Sequence, residues 1–324
     1  MEEERSDSRE ALRDRVAGGL IGLLVGDALG VPYEFHPPHA LPPEAEIDMT
    51  PPRGFRRAHV GVPPGTWSDD GAQALILLDS LLANDDLDLA HFANGLRRWL
   101  HEGFCAVNRS VFDIGGQTSS AINRLGNGVP PEQAGPATER DNGNGSLMRV
   151  LPLVLWHGGD DVELVRLAAR QSLPTHGHMQ SQVCCAMYCL WARATLQGQA
   201  QPWDWAVQRL RALAPEAGLA MDEVERVLDP VNAETIGGTG YVLDTLWSAR
   251  AAVLETADYA ACVRRAIRYG HDTDTTACVA GGIAGLMHGF EAIPRPWRDA
   301  LRGQEILQPL LEGLLRHREL PHRP

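Results

Sequence analysis

Two short acidic clusters stand far apart in the chain, and each opens an apolar, helix-like run. The first is Thr66-Trp67-Ser68-Asp69-Asp70-Gly71, followed by AQALILLDSLLA. The second is Gly270-His271-Asp272-Thr273-Asp274-Thr275-Thr276, followed by ACVAGGIAGLMHG. Asp, Ser and Thr also cap helix starts, where they accept from free N–H groups and meet the positive end of the dipole. One cap needs only one such side chain, and two carboxylates in one turn repel each other unless a cation lies nearby. No histidine or cysteine pair stands at ligand spacing, so the set is oxygen-only and suits Mg2+ or Mn2+ rather than zinc. Four carboxylates that meet need roughly two divalent cations to balance them. The pattern points to a dinuclear metal enzyme.

Other segments offer ligand-shaped features. Gly143-Asn144-Gly145-Ser146 opens an apolar run with flexible backbone and free N–H groups, suited to phosphate or ribose, or simply to a tight turn. Gly237-Gly238-Thr239-Gly240-Tyr241 does the same before VLDTLW. His176 and His178 lie between two helical runs, where either could touch a ligand or serve structurally. Asp113 sits just before a helical run and could cap it or contact a substrate. Glu34, inside VPYEF, is a carboxylate in apolar surroundings. Such a setting raises a pKa and suits proton transfer, with a salt bridge as the plainer alternative.

The elements that must position these groups read as helices. Helical patterns recur over 11–30, 73–83, 88–101, 119–125, 146–157, 161–172, 179–197, 203–213, 241–254, 259–269, 275–290 and 305–316. Alternating β-branched runs are nearly absent. A Pro-rich stretch without periodicity joins the first helix to the first acidic cluster, and a loop of that length is usually functional. Residues 1–10 read as a flexible tail and residues 11–320 as one compact multi-helix all-α domain.

Composition narrows the function classes. Net charge is −13 over 324 residues, which argues against a nucleic-acid or anionic-membrane partner. The start, MEEERSDSREALRDR, lacks the basic and apolar regions of a signal peptide, and no uninterrupted apolar run reaches about 18 residues. A cytoplasmic location is expected. Most of the six cysteines fall in apolar helical runs and read as buried free thiols.

Seven segments, in order, resemble the ADP-ribosylglycohydrolase family: GLLVGDALGVPYEF, GTWSDDGAQALIL, FDIGGQT, NGSLMRVLPL, THGHMQSQ, GTGYVLDTLW and GHDTDTTACVAGGIAGLMHG. They span about residues 16–290. That family includes the enzyme that removes ADP-ribose from dinitrogenase reductase and the eukaryotic ADP-ribosylhydrolases. The resemblance implies an all-α fold with two Mg2+ or Mn2+ ions at the base of a cleft. It places metal ligands on Ser68, Asp69, Asp70, Asp272, Asp274 and Thr275, and catalytic carboxylates on Glu34 and Asp113. Contacts to ADP-ribose are implied for Asn144, Gly145, Ser146, Thr239, Gly240 and Tyr241, with His176 or His178 nearby. The diphosphate is expected against the N–H groups of 144–146 and 239–240.

The implied reaction hydrolyses the bond between ADP-ribose and a protein side chain or small molecule. Water attacks the anomeric carbon through an oxocarbenium-like transition state. Two departures stand out. Gly71 replaces a threonine found in many members, which removes a hydroxyl. Gly116 stands where some arginine-specific members carry a polar residue, which speaks against an arginine linkage. The alternative from another class is a protective protein that binds ADP-ribose or an ADP-ribosyltransferase without turnover; the four aspartates argue against a dead site.

Overall fold

The computed structural model describes residues 2–319, with side chains from residue 9 onward. Fifteen α-helices follow one another among the described residues: α1 (Glu2–Gly30), α2 (Asp69–Asn84), α3 (Leu89–Glu102), α4 (Gly116–Gly126), α5 (Pro131–Ala134), α6 (Leu151–Trp156), α7 (Asp161–Arg170), α8 (Met179–Leu196), α9 (Pro202–Ala217), α10 (Met221–Leu228), α11 (Val242–Leu254), α12 (Tyr259–Arg268), α13 (Thr273–His288), α14 (Arg295–Ala300) and α15 (Gln304–Glu319). No strand occurs among them; a single antiparallel bridge joins Gly143 to Tyr241. The all-α reading holds. The expected tail over 1–10 enters α1 from Glu2; Met1 and the side chains of residues 2–8 lie outside the described residues.

Helix α1 is the axis of the fold, and a glycine row decides how close its neighbour comes. Gly18, Gly22, Gly26 and Gly30 recur every fourth residue, so they line one face of the helix. A Cβ at Gly26 would lie 2.1 Å from the Ala277 carbonyl oxygen, and one at Gly30 would lie 2.4 Å from Cα of Asp274. The antiparallel α13 therefore packs backbone to backbone on α1. This approach brings the second acidic turn against the end of α1. By length and composition, Arg9–Tyr33 would suit a membrane span, yet 94% of its apolar window is buried in the core.

Around this pair, α11 and α12 pack on α13, and α2 packs on α3, α6 and α15. Helix α8 is surrounded by α7, α9, α10 and α11. It carries Cys184, Cys185 and Cys189 fully buried, and all six cysteines are free and buried.

Two sequence expectations shift. The helix expected over 146–157 begins only at Leu151. Residues 144–150 form successive turns, with Leu147 and Met148 N–H both donating to the Asn144 carbonyl. Ser146 and Arg149 turn into the core there, and Pro152 then occupies the first turn of α6, where its missing N–H costs nothing. Helices α5, α10 and α14 lie outside the expected segments; each is at most eight residues, too short for a periodic signal.

The Pro-rich loop forms no α-helix between Gly30 and Asp69, only three 3-10 turns. Side chains pin it instead. Tyr33 Oη donates to the Asp48 carbonyl (2.8 Å), Trp297 Nε1 donates to Asp48 Oδ1 (2.7 Å), and Arg264 donates to the Ile47 carbonyl (2.9 Å). The loop is thereby fixed across α12 and α14, presenting Glu34 and His59 inward.

Candidate active site

The first acidic turn is braced from the core. Ser68 caps α2, its Oγ accepting from Asp70 N–H at 3.3 Å. Asp27, fully buried in α1, accepts from Ser68 N–H with both oxygens (2.9 and 3.0 Å) and from Gly71 N–H (2.8 Å). It occupies the orphan donors of a helix that belongs to another part of the chain. Burial raises its pKa to about 7 even though those three bonds act to lower it. Gly71, where a hydroxyl was missed, has no room for one: a Cβ would lie 2.7 Å from Leu24 and 2.8 Å from Trp67. Its N–H serves Asp27 instead.

A second brace reaches Asp69. Gln73 Nε2 donates to Asp69 Oδ2 at 3.1 Å, and Arg149 Nη1 donates to Gln73 Oε1 at 2.9 Å. Arg149 is fully buried over the Phe92 ring, held by Gln171, and burial lowers its pKa to about 9. It places a guanidinium behind the carboxylate turn without touching it.

The second turn arrives on α13. Thr275 Oγ1 donates to Asp70 Oδ1 at 3.3 Å, so the two clusters meet directly. Thr275 N–H donates to Asp274 Oδ1 at 2.8 Å. Asp274 is fully buried, while Asp272 is partly exposed and accepts from Asn144 Nδ2 at 2.9 Å. Burial first, and then neighbouring carboxylates, push the pKa values of Asp69, Asp70 and Asp274 well above the usual range.

The residues fit a cation. Asp70 Oδ2 and Asp274 Oδ2 are buried with no hydrogen-bond partner, and a buried carboxylate oxygen left bare is strongly unfavourable without a counter-charge. Carboxylate oxygens of Glu34, Asp272 and Asp274 lie within 4.8 Å of one another. An oxygen-rich donor set of this kind suits hard divalent ions.

The two proton-handling candidates also converge. Glu34, 3% exposed at the end of a 3-10 turn, has its pKa raised well above the usual value by burial, then by Asp113 and Asp272. Asp113 is half-buried and raised by burial, with His59 opposing. His59 Nε2 hydrogen-bonds Glu34 Oε2 and lies 3.6 Å from Asp113 Oδ1.

Above these carboxylates opens a cavity of about 1090 Å3, lined by Asp69, Asp70, Asp272, Thr275, Glu34 and Asp113 on the acidic side. Asn144, Gly145, His176, Thr239, Gly240 and Tyr241 line it as well. The two Gly-rich segments are zipped together: Asn144 N–H donates to the Gly240 carbonyl (3.1 Å) and Val242 N–H to the Asn142 carbonyl (2.9 Å). His176 sits beneath them, within reach of a Cβ at either Gly143 or Gly145. Burial lowers its pKa to about 3, so it presents a neutral ring whose Nδ1 bonds Thr175 Oγ1.

Some expected contacts are placed elsewhere. The Ser146 hydroxyl accepts from Ser172 Oγ (2.8 Å) in the core and is not in the cavity wall. His178 caps α8, its Nδ1 accepting from Gln180 N–H, and stands outside the wall too. Asn144 N–H is spent on Gly240, and Thr239 N–H on Asp244 Oδ2 (2.8 Å), so neither is free for a diphosphate. Asp244 also takes Gly237 N–H and the Thr239 hydroxyl.

Sequence reasoning overlooked Asp27, His59, Gln73, Arg149 and Asp244. An acid in the middle of the apolar run LLVGDALG was a signal for Asp27, since a buried carboxylate needs donors. His59, in an aperiodic loop, gave none.

Comparison with known proteins agrees with this geometry. The model of the ADP-ribosylglycohydrolase family matches residues 8–324. The chain is 31% identical to the ADP-ribosylarginine hydrolase Tri1 of Serratia proteamaculans (strain 568), covering 93% of this chain and 79% of that protein. It is 27% identical to the ADP-ribosyl-[dinitrogen reductase] glycohydrolase of Rhodospirillum rubrum (90% and 91% covered) and 27% identical to human ADP-ribosylhydrolase ARH3 (93% of each). A solved ADP-ribosylglycohydrolase-related protein complex superposes with a TM-score of 0.75 at 32% identity, covering 95% of this chain and 99% of that one. With its acidic turns joined under one cleft and the family match running nearly end to end, the chain belongs to the ADP-ribosylglycohydrolases, enzymes that hydrolyse the linkages of ADP-ribose.

Proposed function

We propose that this hydrolase uses two divalent cations, Mg2+ or Mn2+, to release ADP-ribose from arginine on a modified protein. The observation that carries the reading is the meeting of the two acidic turns, with Asp70 Oδ2 and Asp274 Oδ2 buried and unpartnered at the foot of the cleft. Ser68, Asp69, Asp70, Asp272, Asp274 and Thr275 would hold the cations, which when bound supply positive charge for ribose hydroxyls and acidify water.

The chain's own residues do the rest. Gly145 and Gly240 bring backbone close to the diphosphate, and Tyr241, 42% exposed at the rim, offers a ring to the adenine. Neutral His176 underlies the Gly-rich wall without adding charge. Glu34 or Asp113 handles the proton at the end where the leaving group departs, and the carboxylate that stays ionised stabilises the developing oxocarbenium centre. Burial and the neighbouring Asp113 raise the Glu34 pKa, which favours its carrying a proton in that exchange.

The arginine linkage rests on that same end. A guanidinium carries charge and stacks on aromatic faces. Phe35, 69% exposed at the cleft mouth, lies beside the carboxylates of Glu34 and Asp113. Gly116 supplies no polar group there, but a Cβ at that position would meet nothing within 4 Å, so a long side chain has space. The name of the Serratia relative supports the same linkage.

The test is a panel of substrates ADP-ribosylated on arginine or serine, together with an acylated ADP-ribose, each assayed with Mg2+ and with Mn2+. Metal-dependent release from arginine alone is the expected result. Release from serine at equal or greater rate would overturn the arginine reading, and capture of ADP-ribosylated protein without turnover would favour a binding role.

A further inference from the structure

Among the described residues, eight non-glycine residues have left-handed backbone, and four of them, Phe35, His59, Asp113 and His271, stand in or directly behind the cleft wall. A left-handed conformation is uncommon in bulky residues and persists where surrounding contacts over-determine it. Three of these four meet at one point. The His59 ring lies 5.5 Å from the Phe35 ring and 5.2 Å from the Phe112 ring, tilted against both. Its Nε2 bonds Glu34 and faces Asp113 Oδ1 at 3.6 Å. Glu34, Phe35 and Asp113 line the cavity while His59 does not. The imidazole therefore stands behind the two carboxylates and joins segments from different parts of the chain.

Glu34 and Asp113 also stand against each other and against Asp274, but carboxylates only accept when ionised, and His59 brings an N–H-bearing ring to the pair. Phe35 is fixed independently, its N–H donating to the His271 carbonyl while His271 N–H donates to the His36 carbonyl, both at 2.7 Å. Phe35 supplies one side of the ring slot on a pinned backbone, and the other comes with Phe112, the residue before Asp113. Packed between these two rings, His59 points its Nε2 toward the carboxylate pair.

We propose that His59 is a positioning residue that holds Glu34 and Asp113 as a pair at the leaving-group end of the cleft. The proposal rests on the hydrolase reading above and assigns the alignment of its proton-handling groups. With Nε2 protonated, the ring donates to Glu34 Oε2 and leaves the second Glu34 oxygen for the reacting groups. Without the ring, Glu34 and Asp113 are left with carboxyl neighbours alone, which repel one another when ionised.

The experiment compares His59→Ala and His59→Gln with wild type in the metal-saturated full chain, measuring kcat, KM, cation affinity by calorimetry and thermal stability. A misplacement of about 1 Å costs about 100-fold in rate. His59→Ala should therefore lose about that much kcat with KM and cation affinity changed less than about threefold. Glutamine, whose amide can place an N–H near the position of Nε2, should recover most of the loss. Unchanged kcat in His59→Ala, or equal losses in both variants, would overturn the proposal. So would a matching loss of cation affinity, because it would make His59 a metal ligand with Glu34 and Asp113. A wild-type protein that binds cations but releases no ADP-ribose would sink the hydrolase reading instead. In that case crystal structures of His59→Ala decide the positioning role: Glu34 and Asp113 separated support it, and unmoved carboxylates refute it.

Discussion

The first acidic turn is braced from inside the core alone, while the second is braced from the core, where Thr273 Oγ1 donates to the Gly30 carbonyl, and also from the rim of the cleft. Asp69 and Asp70 sit on an N-terminus whose N–H groups are taken by Asp27, with Gln73 and Arg149 behind. Every one of those supports is buried and none lines the cavity. Asp272 is held instead by Asn144, and its N–H donates to the Gly238 carbonyl at 2.9 Å. Both of those partners belong to the Gly-rich segments that face the substrate. The supports of the first turn are thus separate from the ligand wall, while the second turn shares those of Asp272 with it. The expected consequence is that cation binding and ADP-ribose binding are coupled more strongly through the second turn than through the first.

Removing a bare carboxylate should produce the largest effect. Asp274→Ala deletes a buried oxygen that has no hydrogen-bond partner and would hold a cation, so ADP-ribose release should fall about a thousandfold or more. Calorimetry should show weakened cation binding in the same variant, and retained turnover at normal cation affinity would break the comparison at its base. Asp27→Asn tests the core brace alone. It keeps one acceptor oxygen and loses the other, so cation affinity should drop about 10- to 100-fold. Affinity for ADP-ribose at saturating cation should stay near wild type. A loss confined to ADP-ribose would reverse the assignment of the two turns.

Much of this was legible in the residues, and what was not has a common cause. The acidic turns announce themselves because each packs two carboxylates beside hydroxyls at a helix start, a local pattern that needs no tertiary knowledge. The glycine row of α1 announces itself the same way. Asp27 does not, because its meaning lies in N–H groups at Ser68 and Gly71 that only folding brings near. The helix expected over 146–157 starts late for a similar reason: Arg149 and Ser146 satisfy the core instead of solvent. Thr239 looked like a free backbone donor, yet Asp244, five residues on, consumes its N–H. His178 read as a ligand contact and serves as a cap, a role that Ser, Thr, Asp and Asn fill more often.

Acid should strain the rim side next. His176 titrates at about 3 when folded against a usual 6.5, because burial disfavours its charged form. The stability that this neutral ring contributes is fully present above pH 6.5 and is lost as pH falls toward 3. Between pH 6.5 and 5 the loss should approach about 2 kcal/mol, a drop that His176→Gln would largely abolish. Denaturant titrations of both proteins at the two pH values, with cation saturating, measure it. An equal pH slope in the variant would mean that another buried group carries the acid sensitivity.

The smallest effect separates the two turns most directly. Asn144 Nδ2 donates to Asp272 Oδ2 and to Thr245 Oγ1, both at 2.9 Å, so it links the second turn to α11. Its backbone N–H, bonded to Gly240, is untouched by a side-chain change. Asn144→Ala should leave the Gly-rich zipper in place and release only Asp272. A hydrogen bond to a charged group contributes about 1.5–3 kcal/mol, of which water reaching the partly exposed Asp272 returns part. The expected outcome is a rise of about tenfold in KM with a fall in cation affinity smaller than that of Asp27→Asn. Because coupling is reciprocal, raising the cation concentration should restore part of the lost ADP-ribose affinity in Asn144→Ala and none in a variant of the first turn that binds its cation normally. If cation concentration has no influence on the Asn144→Ala KM, the second turn transmits nothing between the two sites, and the coupling must run through residues other than Asn144 and Asp272.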